Sequence, residues 1–357
     1  MFCGGAKGVF LAFCAAQMCH RQVDALHHLG GTLLAPEGYY QSLRLIPALF
    51  GGDIHVVPDL SAAPVATWLA RTADLPHRAI YVPLVNNATG QVLTAARAHA
   101  LAAEITHHNR LNLGNPVFVV GDDVYADSIL DTTLDPMPIG AAPGMAGCTV
   151  SVVSPSKTFA LPTSRVAFAT TRNPRLRAAL QHYRTVFSHG RVPQTTELAA
   201  AAALALTPTA WIDHWNQHYR KRLTRLRIHL DRLNHVLVTH RPHTAAIAPV
   251  VDMHSPQGGW YVPLTIARAA LPIPVASSVE VFAMLLHYDE DVHSGIGTLP
   301  GELFGQRLIP DSPRAALRAT LAVSDHDLDA FVHRLGTALL ILTGRRGMVA
   351  GQGLPRL

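Results

Sequence analysis

The chain has 357 residues, and at roughly 150 residues per domain that length predicts about two domains. Apolar residues make up 49% and charged residues 15%, which excludes a disordered chain and provides for a sizeable core. With 29 Lys and Arg against 24 Asp and Glu the net charge is +5, too mild to select a nucleic-acid partner or exclude an ordinary enzyme. The four cysteines, Cys3, Cys14, Cys19 and Cys148, are too few and too scattered for a disulfide scaffold, and without a CxxC pair they argue against structural zinc.

Taken along the chain, the first feature is the apolar stretch Gly8 to Ala16 behind Lys7. It has the size of a signal-peptide core, but the basic segment before it is weak, and bulky Phe13 stands where a lipoprotein cleavage site wants a small residue. No apolar run reaches the roughly 18–20 residues of a membrane helix, so the expectation is a soluble, cytoplasmic protein. Ile54–Val57, Ala79–Pro83, Val117–Val120, Thr149–Val153 and Val166–Ala169 then read as buried strands of a largely parallel sheet. Helical segments such as Ser61–Thr72 and Thr94–His107 lie between them, an alternation that argues a layered α/β domain.

The chain turns Ala-rich and helical around Leu198–Leu206, closing a large domain expected over 1–206. A long connecting helix follows over 207–240. Leu223, Leu226, Leu230, Leu233 and Leu237 step by three and four and form one buried stripe. Arg220, Lys221, Arg222, Arg225, Arg227 and Arg232 fill much of the remaining surface and read as a solvated face, since no groove-reading motif accompanies them. A smaller α+β domain is expected over 241–345, with a strand over Gly259–Leu264, a helix over Ser278–Leu286 and a last helix over Asp325–Leu342. A frayed tail rich in Gly and Arg ends the chain over 346–357. Metal sites are not expected: His214 and His218 share a helix face without a motif, and His287, Asp289, Asp291 and His293 have no recognised ligand order.

The strongest chemical signal is Ser154-Pro-Ser-Lys157, with Arg165 eight residues after the lysine. A lysine amine becomes nucleophilic when its pKa is lowered, as Schiff-base chemistry requires. Ser and Arg are natural phosphate ligands. A cofactor carrying both an aldehyde and a phosphate needs this set, which points to pyridoxal phosphate. Such a ring also needs a carboxylate on its nitrogen. Asp122 supplies one at the end of the Val117–Val120 strand, where α/β sheets bind ligands, and Tyr125 follows three residues on. Asn87 follows the Ala79–Pro83 strand and can donate to the ring's phenolic oxygen.

Asn87-Ala-Thr-Gly90, Asp122-Asp-Val-Tyr125, Ser154-Pro-Ser-Lys157…Arg165, Gly258-Gly-Trp-Tyr261, Pro300-Gly-Glu-Leu-Phe-Gly305 and Arg318-Ala-Thr-Leu-Ala322 occur in that order. In this the chain resembles the class I/II aminotransferases, the aspartate-aminotransferase-like enzymes of fold type I, over nearly its whole length. The resemblance implies an α/β fold with a mainly parallel seven-stranded-type sheet in the large domain, a smaller α+β C-terminal domain, a homodimer, and transfer of an α-amino group from an amino acid to a 2-oxo acid. It implies that Lys157 holds pyridoxal phosphate and moves the reacting proton, while Asp122 pairs with the ring nitrogen. Tyr125 and Asn87 bond the phenolic oxygen, and Ser154 and Arg165 bind the phosphate. Gly5, Ala6 and Lys7 open a helix whose amides cradle that phosphate. Arg318, with Asn87, meets the substrate, the guanidinium clamping its α-carboxylate. A flat side chain should cover the ring; Gly38 stands at the first place to look, and Tyr39 is the expected stacker.

Ala88 stands where the family has Pro, and Ser164 and Ala167 stand where it often has Gly. Met1 lies three residues before the cradle glycines, so the resemblance also implies that the family's N-terminal arm is missing. The cofactor residues do not separate transamination from lyase, decarboxylase or oxidase chemistry, or from a remnant that binds the cofactor without turnover.

Overall fold

The computed structural model describes residues 1–18, 30–75, 77–188, 191–272, 274–288, 296–306 and 312–345. Cys19, Asp289, Asp291, His293 and the 346–357 tail lie outside the described residues. The chain divides into two units. The first comprises Met1–Asn87, Gln91–Trp215 and Gln257–Gly259; the second comprises Ala88–Gly90, Asn216–Pro256 and the chain from Trp260 onward.

In chain order the first unit carries β1 (Phe2–Cys3), α1 (Ala6–Met18), β2 (Thr32–Pro36), β3 (Asp53–Val57), α2 (Ala62–Arg71), β4 (Arg78–Pro83) and α3 (Ala95–Leu111). It continues with β5 (Phe118–Asp122), β6 (Thr149–Val153), α4 (Pro155–Thr158), β7 (Val166–Thr170), α5 (Pro174–Ser188), α6 (Gln194–Leu206) and the start of α7 (Thr209–His240). Among the described residues the strands form one seven-stranded sheet, ordered β1-β7-β6-β5-β4-β2-β3. The pairs from β3 through β6 are parallel, while β7 runs antiparallel to both β6 and β1. This is the mainly parallel α/β architecture that the family resemblance implies.

Every residue of β2 and β4 is buried, as strands of a parallel sheet covered on both faces must be. The stretch Gly8–Ala16 is the core of α1, which buries Val9, Phe10, Phe13 and Cys14 and packs on α5 and on β4 to β7. A Cβ on Gly8 would stand 2.3 Å from the Cys3 carbonyl oxygen, so only glycine lets the helix return this closely over β1.

The second unit holds the rest of α7, then β8 (Val251–Met253), β9 (Tyr261–Ala267), α8 (Ser278–Leu286), β10 (Leu299–Pro300), β11 (Arg314–Thr320) and α9 (Asp325–Arg345). Its sheet is antiparallel, ordered β10-β11-β9-β8. Leu226, Leu230, Leu233 and Leu237 of α7 are buried with Leu264, Ile266, Leu317, Leu335 and Leu339 in one core, and Leu223 packs partly buried at its margin. On the basic face of α7, Lys221, Arg225, Arg227 and Arg232 are exposed, as expected. Arg222 bonds Asp325 at 2.7 Å and Arg225 pairs with Asp329, so part of that face also ties α7 to α9 at the surface.

Candidate active site

The register sets Pro83 of β4 opposite Asp122 of β5, and Asp122 opposite Val152 of β6. Three strand ends therefore finish level at the carboxyl edge of the sheet, the edge where α/β folds bind ligands. The residues that follow those ends are the ones singled out by sequence.

Asp122 is the centre. The Tyr81 hydroxyl donates to its Oδ2 at 2.6 Å, and the Val124 amide reaches Oδ1 at 3.3 Å. Burial pushes the carboxyl above its usual range, while the Tyr81 bond, the Val124 amide and the charge of Lys157 pull it back. Its neighbour Asp123 is buried too, and burial followed by the charge of Asp122 pushes it up to about 7.

Lys157 sits on α4, one turn beyond β6. Its Nζ lies 5.4 Å from the centre of the Tyr125 ring, in reach of a cation–π contact. Ser154 caps α4: its oxygen accepts the Ser156 amide at 3.2 Å, and Pro155 takes the first helical position. The Ser154 hydroxyl also stands 2.7 Å from the Val166 carbonyl and 2.8 Å from Ser156 Oγ, so it is engaged within the turn and does not face outward as the expected phosphate ligand. The turn is held from outside as well. Trp211 Nε1 donates to the Thr158 carbonyl at 2.8 Å, and the Thr158 hydroxyl donates to Asp127 at 2.8 Å. Sequence reasoning missed Trp211 and Asp127, which lie 53 and 31 residues from Thr158 and carry no local signal.

Arg165 meets the start of α1. Its Nη2 donates to the Gly4 carbonyl at 2.8 Å, and its own carbonyl accepts the Gly5 amide at 2.8 Å. Gly4 and Gly5 have φ of +87° and +66°, and a Cβ on Gly5 would come within 3.0 Å of the guanidinium. Gly5, Ala6 and Lys7 thus bring the first turn of a helix beside a guanidinium. First-turn amides have no acceptor within their helix, so the two together favour an anion.

Asn87 is half-buried just beyond β4. The better-anchored residue is Asn86, which sequence reasoning passed over. It is buried and donates to the Glu37 carbonyl at 2.7 Å. It also explains Gly38, whose φ is +86° and whose Cβ would fall 2.1 Å from Asn86 Oδ1. No side chain fits at 38. Tyr39, the expected ring-stacking residue, is 2% exposed. The Gly258–Gly259 pair packs beside Tyr125: the Gly259 amide donates to Ser128 at 2.7 Å, and a Cβ on Gly259 would lie 3.6 Å from the tyrosine ring.

Arg318 belongs to the second unit, on β11 opposite Pro263 of β9. Its guanidinium lies between two rings, 3.7 Å from the centre of Tyr261 and 4.1 Å from that of Phe304. Three of the sequence motifs therefore meet at one side chain.

The donor set of the first unit fits pyridoxal phosphate. A buried carboxylate held for a cationic ring nitrogen, a lysine after the neighbouring strand, and a guanidinium at a glycine-opened helix start match its nitrogen, its aldehyde and its phosphate.

The fold and this set have the chemistry that a pyridoxal-phosphate-type site on an α/β sheet requires. The family Aminotransferase class I and II matches residues 15–335, and the chain belongs to it. It is accordingly a pyridoxal-phosphate-dependent transaminase by class. Among solved structures, the chain is similar to the aspartate aminotransferase from Rhizobium meliloti, at 19% identity over 95% of this chain and 76% of that one, with a TM-score of 0.72. It is also similar to the aromatic aminotransferase from Pyrococcus horikoshii OT3, at 20% identity over 95% and 79%, with a TM-score of 0.73. N-Succinyldiaminopimelate aminotransferase from Mycobacterium tuberculosis matches at 21% identity over 95% and 77%, with a TM-score of 0.70. At these identities the likeness is one of fold. No curated protein matches the sequence.

Proposed function

We propose that the chain transfers an α-amino group from an amino acid to a 2-oxo acid, in amino-acid metabolism. Pyridoxal phosphate supplies, when bound, an electron sink conjugated to the reacting carbon. The observation that carries the reading is the buried Asp122 carboxylate at the sheet's carboxyl edge, held by Tyr81 and acted on by the charge of Lys157.

In this reading Asp122 holds a proton on the ring nitrogen. Lys157 would hold the aldehyde group and, once the substrate amine had displaced it, its free amine would carry the proton between the substrate Cα and C4′. Arg165 and the Ala6 and Lys7 amides orient the phosphate, the Gly5 amide being held by the Arg165 carbonyl, and Ser154 caps the turn that places Lys157. Tyr125 and Asn87 bond the phenolic oxygen, and Tyr39 covers the ring. Arg318 takes the substrate α-carboxylate; the flanking Tyr261 and Phe304 rings hold its fork in one plane. The same reading has the chain work as a homodimer in the cytoplasm, and light scattering on the purified protein tests the dimer.

The function itself is tested by incubating the cofactor-loaded protein with a panel of amino acids and no 2-oxo acid, then separating the cofactor forms. One equivalent of pyridoxamine phosphate and of the matching 2-oxo acid is expected, and a second 2-oxo acid should regenerate the starting form. Release of ammonia, pyruvate or carbon dioxide without pyridoxamine phosphate would replace this reading with lyase, oxidase or decarboxylase chemistry. No change with any donor would overturn it.

A further inference from the structure

Tyr81 stands on β4, 41 residues before the aspartate it bonds, and its ring is wholly enclosed. Phe10 of α1 meets it edge-on, with centroids 5.7 Å apart at 86°. A phenol enclosed in this way has to find partners for its hydroxyl, and here both are fixed. The oxygen accepts the backbone amide of Tyr40. An amide cannot accept in return, so the single hydroxyl hydrogen goes to Asp122 Oδ2 at 2.6 Å. Oδ2 is therefore an acceptor, and Oδ1, met only by the longer bond from the Val124 amide at 3.3 Å, keeps a lone pair for another donor.

We infer that Tyr81 is a positioning residue that donates one way to Asp122, keeps its carboxylate ionised in a dry site, and leaves the second lone pair of Oδ1, beside the Val124 bond, for the ring nitrogen of pyridoxal phosphate. The inference rests on the cofactor reading above. Two other charged groups bear on Asp122: Lys157, which favours its charge, and Asp123, the member of the acid pair that takes up a proton near neutrality. Tyr81 also links Asp122 to the segment just past β2, because its acceptor side is occupied by Tyr40 next to the proposed ring-covering Tyr39. A hydrogen bond to a charged group is the stronger kind, and a buried carboxylate that loses its donor is left unsatisfied.

The test is a double-mutant cycle read by absorbance titration with pyridoxal 5′-phosphate across pH, using the parent, Tyr81→Phe, Asp122→Asn and the double variant. Tyr81→Phe should weaken binding about ten- to hundredfold. It should also move the acid limb of binding up by about one pH unit, since Asp122 then takes a proton more readily. With Asn at 122 the same change should alter affinity by less than about threefold and leave the limb in place. Replacing Tyr81 by 3-fluorotyrosine keeps the shape and makes a stronger donor, so the limb should move down; this arm still decides the matter where the Phe variant folds poorly. Equal affinity and an unmoved limb in Tyr81→Phe, or equal weakening in both backgrounds, would overturn the role of Tyr81 while leaving the cofactor site standing. A parent protein that binds no pyridoxal phosphate would overturn both.

Discussion

A carboxylate cut off from water must be held by donors or take up a proton, and two adjacent residues of β5 and its exit show the two outcomes. Asp122 is met by Tyr81, by the Val124 amide and by the charge of Lys157. Burial and then the charge of Asp122 push Asp123 up to about 7 instead, against the pull of its bond with Ser151. In the unfolded chain its carboxyl titrates near 3.9. Between about pH 4 and 7 the folded state therefore binds more protons than the unfolded one, so Asp123 makes stability fall as pH rises through that window and then level off. Asp123→Asn should remove that loss. Urea unfolding should find the variant about 2–4 kcal/mol more stable than the parent at pH 8 and much closer to it at pH 4. An identical gap at both pH values would mean that Asp123 is not protonated in the fold. Asp122, Lys157 and Arg165 were legible because their spacing repeats a known chemical pattern. Tyr81 was not, because in Ala79–Pro83 it reads as one more apolar strand residue, and its bond is made across the sheet.

At the scale of elements, close approaches decide more than propensities do. Gly8→Ala puts a Cβ 2.3 Å from the Cys3 carbonyl, and Gly38→Ala puts one 2.1 Å from Asn86 Oδ1 at a φ of +86°. Each should cost about 1–3 kcal/mol, read as a lower urea midpoint at unchanged m-value. Gly38→Ala should in addition weaken pyridoxal phosphate binding, as it displaces the segment leading to Tyr39 and Tyr40; unchanged binding would separate that segment from the site. In the second unit Ser277 caps α8 by accepting the Glu280 amide at 3.2 Å, so Ser277→Ala should cost about 1 kcal/mol. Five strands of the first sheet were readable as short apolar runs, but the reversal at β7 was not. The link between β6 and β7 contains only the short α4 and a 3-10 turn, with no full crossover helix to carry the chain back to a parallel neighbour. β11 was hidden in another way: Arg314 and Arg318 break its apolar pattern, and their stems and guanidinium groups are accommodated by Thr265, Tyr261 and Phe304.

For the whole molecule, the order of weak motifs said more than any one of them. Six short matches in sequence resembled one family, and the match to Aminotransferase class I and II over residues 15–335 places the chain there. Composition alone reached only a globular protein of about two domains, since net charge and cysteine count select against other classes without selecting a chemistry. Physically, the resemblance is legible because the strand ends that form the site are close in register but dispersed in sequence, so each leaves a separate short mark. What the motifs do not carry is the identity of the amino donor, which depends on side chains that face the substrate rather than the cofactor. A working pyridoxal phosphate site needs Lys157 and Asp122 together. Its most direct test is the visible absorption spectrum of the purified protein with the cofactor, beside Lys157→Ala, before and after mixed amino acids are added. A long-wavelength band that needs Lys157 and bleaches with amino acids is the predicted result; no band, or the same band without Lys157, would contradict it.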